Sequence, residues 1–301
     1  MAGGQERVLR RRIRSVQSTR KITKAMELIA ASRIVRAQNR IAANRPYRLG
    51  MEKILRVTAA ADLAAAKKLL GTPEEPARVG VLAIVGDRGL AGSYNSGVFR
   101  ATERLVNEHG RNGAEVTLWT VGKKAPSYFR YRGIAVERSF PGIADRPEFV
   151  DARSIAATVT GPFVAGEMDI VQLVSTRFIS AGTQRVEMQQ MLPLPLPEED
   201  DEVPAPSTEL VGYTEFEPEP EKLLAELAPR AAEAEIFAAL LEGAASFFTA
   251  QQRAMAAATD NADELVRTLT RVMNRARQDA ITTEIMEIVG GAEALRQAKG
   301  A

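Results

Sequence analysis

Apolar residues near the start of the chain recur at helical spacing in patches: Leu9, Ile13 and Val16, then Ile22, Met26 and Ile29, then Ile34 and Ile41. Arg20 and Thr23 interrupt this face. Between Val8 and Leu70 there is one proline, Pro46, and one glycine, Gly50, while Arg, Ala, Leu, Gln and Lys dominate. The pattern predicts a single helix from Val8 to about Leu70. A helix of about 50 residues is about 75 Å long, more than the diameter of an ordinary domain, so it must leave the globule. The other end of the chain repeats the pattern. After Pro229 there is no further proline, and Ile236, Leu240, Phe247, Met255, Leu265, Leu269, Val272, Ala276, Ile281, Ile285 and Ile288 mark a helix over 231–289. That helix would be roughly 85–90 Å long. Gly290-Gly291 supplies a stop, because glycine tolerates the left-handed C-cap. Pro229 either kinks this helix or starts it. Two such helices can bury their stripes only against each other or against a partner, and an antiparallel coiled coil is the economical solution.

The middle of the chain has another rhythm. Val79–Val85 is a continuous apolar run, as in a strand covered on both faces. A glycine-rich segment follows, then a helix from about Ser96 to Glu108. Further strands are predicted at Val116–Val121, Ile134–Ser139, Ile170–Ser175 and Gln184–Met191, with a helix over 147–160 between the third and fourth. The proline-rich stretch LPLPLPEEDDE then reads as a linker. Strands alternating with helices predict an α/β layered domain inserted between the helical ends. The expected division is 1–70, N-terminal helix; 72–210, α/β domain with an acidic loop; 211–301, C-terminal helix.

Composition narrows the chemistry. The 301 residues contain no cysteine and one histidine. Disulfides, thiolate metal sites and thiol catalysis are excluded within the chain, and a histidine-rich metal centre or a Ser-His-Asp triad is disfavoured. No apolar run reaches the roughly 18 residues that span a bilayer. The arginine-rich start lacks the apolar block of a secretory signal. A cytoplasmic protein, or one attached to a membrane through other proteins, is expected.

The formal net charge of +2 hides a segregation. Residues 1–56 carry 15 Lys/Arg against three acids, and residues 197–221 carry ten acids and no base. Opposite blocks suit distinct partners. The basic helix could meet nucleic-acid phosphates or acidic protein surfaces. The loop Gly86-Asp87-Arg88-Gly89-Leu90-Ala91-Gly92-Ser93 stands where doubly wound folds bind phosphate. Its spacing is G-x-x-G-x-x-G, however, and it lacks the G-K-[ST] ending, so a tight strand-to-helix turn is expected. His109, beside Gly110, reads as a surface residue capping a helix end. The acidic run 198–202 lacks EF-hand spacing and reads as a solvated loop.

Both ends resemble a known family. The segment RRRIRSVQSTRKITKAMELIAASRIVRAQ at 10–38 is similar to the N-terminal signature of the γ subunits of rotary F-type ATP synthases. AMAAATDNADEL at 254–265 and NRARQDAITTEIMEIVGGAEAL at 274–295 are similar to their C-terminal signature, and DRGLAGSYN at 87–95 to their middle-domain motif. The resemblance covers nearly the whole chain. It implies a non-catalytic rotor without cofactor or metal: an antiparallel coiled coil of the terminal helices around an inserted Rossmann-like α/β domain. The shaft would stand in a hexamer of α and β subunits, with its foot and the ε subunit on the membrane c-ring. Contact with the membrane would come only through these partners, and no nucleic acid would be involved. By the same resemblance, Arg277 and Gln278 would hydrogen-bond a β loop. Met26, Arg33 and Arg36 would lie near the acidic β lever, and Ile281, Ile285 and Ile288 would form a tip in an apolar bearing. Tyr213, Phe216 and Glu217 would form the foot on the c-ring.

Several positions depart from the family pattern. Ala91 stands where many relatives have Cys, Phe247 and Phe248 where relatives often have polar residues, and Gln251 where they often have Arg. The absence of cysteine rules out the redox control of plastid relatives. The resemblance implies a bacterial subunit, peripheral on the cytoplasmic face of the plasma membrane.

Overall fold

The computed structural model describes residues 2–61, 75–194 and 215–299. Among the described residues there are ten regular elements: α1 (Ala2–Ala61), β1 (Arg78–Ile84), α2 (Tyr94–Arg111), β2 (Glu115–Val121), α3 (Lys124–Tyr131), β3 (Arg138–Phe140), α4 (Phe149–Val164), β4 (Ile170–Phe178), β5 (Gln184–Leu192) and α5 (Pro220–Lys299). They form two compact units. One joins Met1–Ile29 to Gln252–Ala301, and the other is Ala30–Gln251. Each long helix therefore contributes to both.

The smaller unit is a helix pair. Thr23 meets Thr259 at 2.8 Å and Arg20 meets Asp263 at 2.5 Å. A step back along α1 is a step forward along α5, so the two run antiparallel. In α1 positions 9, 13, 16, 23 and 27 are buried or half-buried, and with the exposed Arg20 at the rim they keep the alternation of four and three that gives the 3.5-residue period of a coiled-coil seam. Ile13 and Thr23 are buried, whereas Ile22 and Ile29 are more than half exposed. The seam thus runs through Thr23, with Arg20 bridging to Asp263 at its exposed rim; these are the residues that break the apolar stripe in the sequence. In α5, Met255, Thr259, Ala262 and Leu269 are buried, while Leu265 and Val272 point outward.

The larger unit carries a five-stranded sheet of order β3-β2-β1-β4-β5. The first four strands are parallel and β5 runs antiparallel to β4. Leu82, Ile84, Trp119, Val171 and Leu173 face α4 and the 232–240 segment of α5. Val79, Val81, Ala83, Leu118 and Val174 face α2 and α3 through Val98, Phe99, Leu105 and Phe129. Burying each large apolar side chain contributes about 1.5–3 kcal/mol, so the two faces dominate the stability of this unit. Gly80 in β1 makes room for Trp119: a Cβ there would stand 2.5 Å from the indole ring.

Several sequence-based boundaries move. The third strand spans 138–140 rather than 134–139, because 134–137 carry no ladder pairing. Helix α3 had no counterpart in the sequence reading; Gly122, Pro126 and Gly133 look like loop punctuation, yet Ala125 and Phe129 are fully buried. The C-terminal helix begins at Pro220 and passes Pro229, so Pro229 does not start it. Pro220 suits the first helical position, where the missing N–H has no partner to lose. The helix also passes Gly290-Gly291, which is not a stop. The predicted continuation of α1 beyond Ala61 and the acidic run 198–202 lie outside the described residues.

Candidate partner-contact surfaces

The glycine-rich loop after β1 is a structural turn. The Asp87 carboxylate accepts backbone N–H bonds from Lys123 at 3.0 Å, Gly142 at 2.7 Å and Ala144 at 3.0 Å. An intrinsic carboxylate thus occupies amides at the strand ends that could otherwise hold a phosphate. Asn95 closes the turn by accepting from Gly86 N–H and donating to the Arg88 carbonyl. Ala91, at the start of this loop's return, is buried with Tyr94, Ile34, Phe247 and Phe248.

Arg33 leaves α1 towards this loop. Its guanidinium lies 3.9 Å from the Asp145 carboxylate and 5.2 Å above the ring of Phe248. Arg88 holds the same Asp145 oxygen at 2.5 Å. Of the basic residues expected to face a β subunit, Arg33 is therefore half-buried and engaged within its own chain. Arg36 is exposed and donates to Ser32 at 2.9 Å. Met26 is half-buried in the helix pair.

The far end of α5 is bare. Arg277 and Gln278 are exposed, and neither makes a hydrogen bond or ion pair with another described residue. Every described side chain from 281 to 292 is exposed; Ile281, Ile285, Met286 and Ile288 lie between 46% and 68% exposed. The antiparallel register explains this. Thr23 faces Thr259, so the first residues of α1 fall opposite residues near 280, and α5 continues past the end of its partner helix. An exposed run of large aliphatic residues on a solvent-facing helix signals a surface that another molecule covers. Of the residues expected at the foot, Phe216 is half-buried and Glu217 exposed, just before α5 begins. Tyr213 lies outside the described residues.

The titratable groups are structural. Burial raises the pKa of Tyr94, which sits among the aromatic residues. Burial likewise raises that of Glu242, whose carboxylate accepts the Phe178 N–H at 3.1 Å. Asp169 is lowered by its bond to the Arg78 guanidinium and by the Ala77 and Arg78 amides. His109 lies in the last turn of α2, as expected, but not on the surface: its ring meets Gln172 of β4 at 2.7 Å, part-buried.

A family model described as ATP synthase matches residues 5–295. The chain belongs to the ATP synthase family. It is 47% identical over 298 residues to the ATP synthase gamma chain of Parafrankia sp., covering 97% of this chain and 98% of that one. It is 44% identical over 301 residues to the ATP synthase gamma chain of Streptomyces coelicolor, covering 98% of each. Two solved ATP synthases contain chains of the same fold. One, in an OSCP/F1/c-ring assembly of Euglena gracilis mitochondrial ATP synthase, is 17% identical with a TM-score of 0.68 and covers 99% of this chain and 97% of its own. The other, in the central stalk/c-ring of Tetrahymena thermophila mitochondrial ATP synthase, is 24% identical with a TM-score of 0.61, covering 79% of this chain and 99% of its own.

ATP synthase membership bears out the resemblance read from the terminal signatures and the 87–95 motif. The mixed α/β fold with long terminal helices agrees with it. Sequence reasoning missed Asp145, Asp87 and the Thr23–Thr259 pair. A heptad count that admitted polar positions would have found Thr23. Nothing local to the sequence marks Asp145, whose partners lie on α1 and on the glycine-rich loop.

Proposed function

We propose that this chain is the central rotor shaft of a proton-driven ATP synthase, coupling rotation of a membrane c-ring to ATP synthesis and hydrolysis at β subunits. The observation that carries this reading is the near-full-length identity to ATP synthase gamma chains. The chain itself performs no bond chemistry. Proton flow turns the ring, the ring turns the foot, and the helix pair presents a different side to each β subunit in turn. Its binding energy must differ among β conformations, since only a differential interaction shifts an equilibrium between states.

The exposed residues suit these roles. Arg277 and Gln278 offer several donors to one β loop, and the guanidinium's fixed fork fits a carboxylate. Met26 and Arg36 lie along the α1 face expected near the β lever, with Arg33 partly retained by Asp145. Exposed ion pairs are worth only about 0–1 kcal/mol each, so such a surface can change partners on every third of a turn. Ile281, Ile285 and Ile288 form an apolar tip whose weakly directional contact permits rotation. Phe216 and Glu217, with Tyr213, meet the c-ring loops, where the ε subunit also rests. No described helix is long and apolar enough to cross a membrane, and attachment to the cytoplasmic face of the plasma membrane comes through these partners. Nothing in the fold or the relatives favours a nucleic-acid role for the basic helix.

Co-expression with the α and β subunits of the same organism tests the reading. A tag on β should recover three α, three β and one of this chain, with ATP hydrolysis that depends on it. A folded chain that never joins α and β would overturn the proposal.

A further inference from the structure

Helix α5 packs into the apolar core of the α/β layer along Ala232, Ile236, Ala239 and Leu240. Helix α1 reaches that layer differently. Loop 141–148, between β3 and α4, acts as a bracket. Asp87 fixes its beginning through the Gly142 and Ala144 amides. One Asp145 oxygen receives both Arg33 of α1 and Arg88 of the glycine-rich loop. The Pro147 carbonyl accepts from Arg40 of α1. The second Asp145 oxygen is buried without a hydrogen-bond partner, so this carboxylate is held in place by its two cations.

The opposite wall of the bracket is aromatic. Phe248 of α5 lies under the Arg33 guanidinium, Phe247 meets Phe248 edge-on at 5.5 Å, and Tyr94 of α2 meets Phe247 edge-on at 5.5 Å. Gly86 admits the Phe247 ring, since a Cβ there would lie 2.8 Å from it. Ile34 completes the cluster from α1. Both long helices are thus gripped at residues 33–34 and 247–248, within about one turn of positions 30 and 251, where they leave this unit.

We propose that Asp145, Arg33 and the Phe247–Phe248 pair form a torque collar that locks α1 and α5 to the α/β layer, so that turning force entering at the foot passes to the helix pair without slip. The inference rests on the rotor reading. A rigid packed cluster suits this task because an interdigitated core resists continuous deformation. The charge pair adds direction: an aromatic cluster alone permits sliding along the helix, whereas Asp145 fixes Arg33 from a second element. Asp145 is a positioning residue, since it would act through Arg33 and the helix rather than on nucleotide or partner.

The test uses the assembled ATP synthase in membrane vesicles, reading ATP hydrolysis and ATP-driven proton pumping on the same sample. For Asp145→Ala, hydrolysis should stay near wild type while pumping per ATP hydrolysed falls clearly below the wild-type ratio. Asp145→Glu should restore the ratio. Phe248→Leu, which keeps apolar volume but removes the ring under Arg33, should lower the ratio in the same direction. It stands in for Asp145→Ala if that variant does not assemble. An unchanged ratio, or a parallel loss of hydrolysis and pumping with no rescue by glutamate, overturns the collar while leaving the rotor reading intact. If the unaltered chain never assembles with α and β, the rotor reading falls, and the collar's role in torque falls with it.

Discussion

Phe247 concentrates much of what single residues do here. It is buried between Tyr94, Phe248 and the backbone of Gly86. Phe247→Ala should cost about 3–5 kcal/mol, the usual range for emptying a packed aromatic site, as read by urea unfolding of the isolated chain. Gly86→Ala should also destabilise, by about 1–3 kcal/mol, through overpacking against the same ring. Combining it with Phe247→Leu should give less than the sum of the two single effects. The sequence marked Phe247 and Phe248 as departures from the family, but not what they touch, because their partners lie on α1, α2 and the glycine-rich loop. Glu242 yields a prediction with a definite sign. Its native pKa is raised by burial, so the folded state holds its proton more tightly than the unfolded chain. Its contribution to stability therefore falls as pH rises from the ordinary glutamate value upward through the raised native one. Glu242→Gln, which keeps an acceptor for the Phe178 N–H, should gain stability relative to wild type at pH 7 and lose that advantage towards pH 4. Parallel denaturation curves at the two pH values check this, and equal differences at both would contradict it.

At the scale of elements, hydrophobic rhythm went far. The apolar run at 79–85 and the strands that followed were legible because a parallel sheet covered on both faces needs continuous apolar strands. The two terminal helices were legible from length and the scarcity of breakers. The seam between them was not, since a search for apolar residues passes over Arg20 and Thr23 and favours Ile22 and Ile29, which are exposed. Thr23 and Thr259 meet at 2.8 Å, buried, and each also bonds a carbonyl of its own helix, Arg20 and Met255. Two hydroxyl protons serve three acceptors, so whichever hydroxyl donates across the seam releases its own carbonyl while the other accepts and keeps its own. Thr23→Val or Thr259→Val alone removes the cross-helix bond while the remaining hydroxyl keeps its own-helix carbonyl, at about 0.5–1.5 kcal/mol. The double variant replaces both with apolar groups of similar shape and should cost less than the two together, with an interaction energy of about 0.5–1.5 kcal/mol by urea denaturation. Strict additivity would show that the two hydroxyls do not depend on each other.

At the scale of the whole molecule, the chain devotes one end of its longest helix to surface that its own fold does not cover. The register that pairs Thr23 with Thr259 exhausts α1 near residue 280 of α5, and the side chains of 281–292 face solvent. Arg277 and Gln278 stand just before that point, unengaged by other described residues. Arg277→Ala should therefore leave the urea midpoint of the isolated chain unchanged while weakening assembly with α and β and slowing ATP hydrolysis. An equal loss in the free chain would mean the residue serves its own fold. Truncation after Ala280 extends the argument. The isolated chain should keep its thermal midpoint, because no buried side chain among the described residues is removed, and its helical signal should fall only by the share of the deleted turns. The assembled complex should inactivate at a lower temperature if, as proposed, Ile281, Ile285 and Ile288 fill an apolar bearing, since each buried aliphatic side chain is worth about 1.5–3 kcal/mol. If the complex kept its full thermal stability, the tip would be a solvated extension rather than a seated one; if the free chain lost stability, the residues beyond 280 would be packing against their own fold.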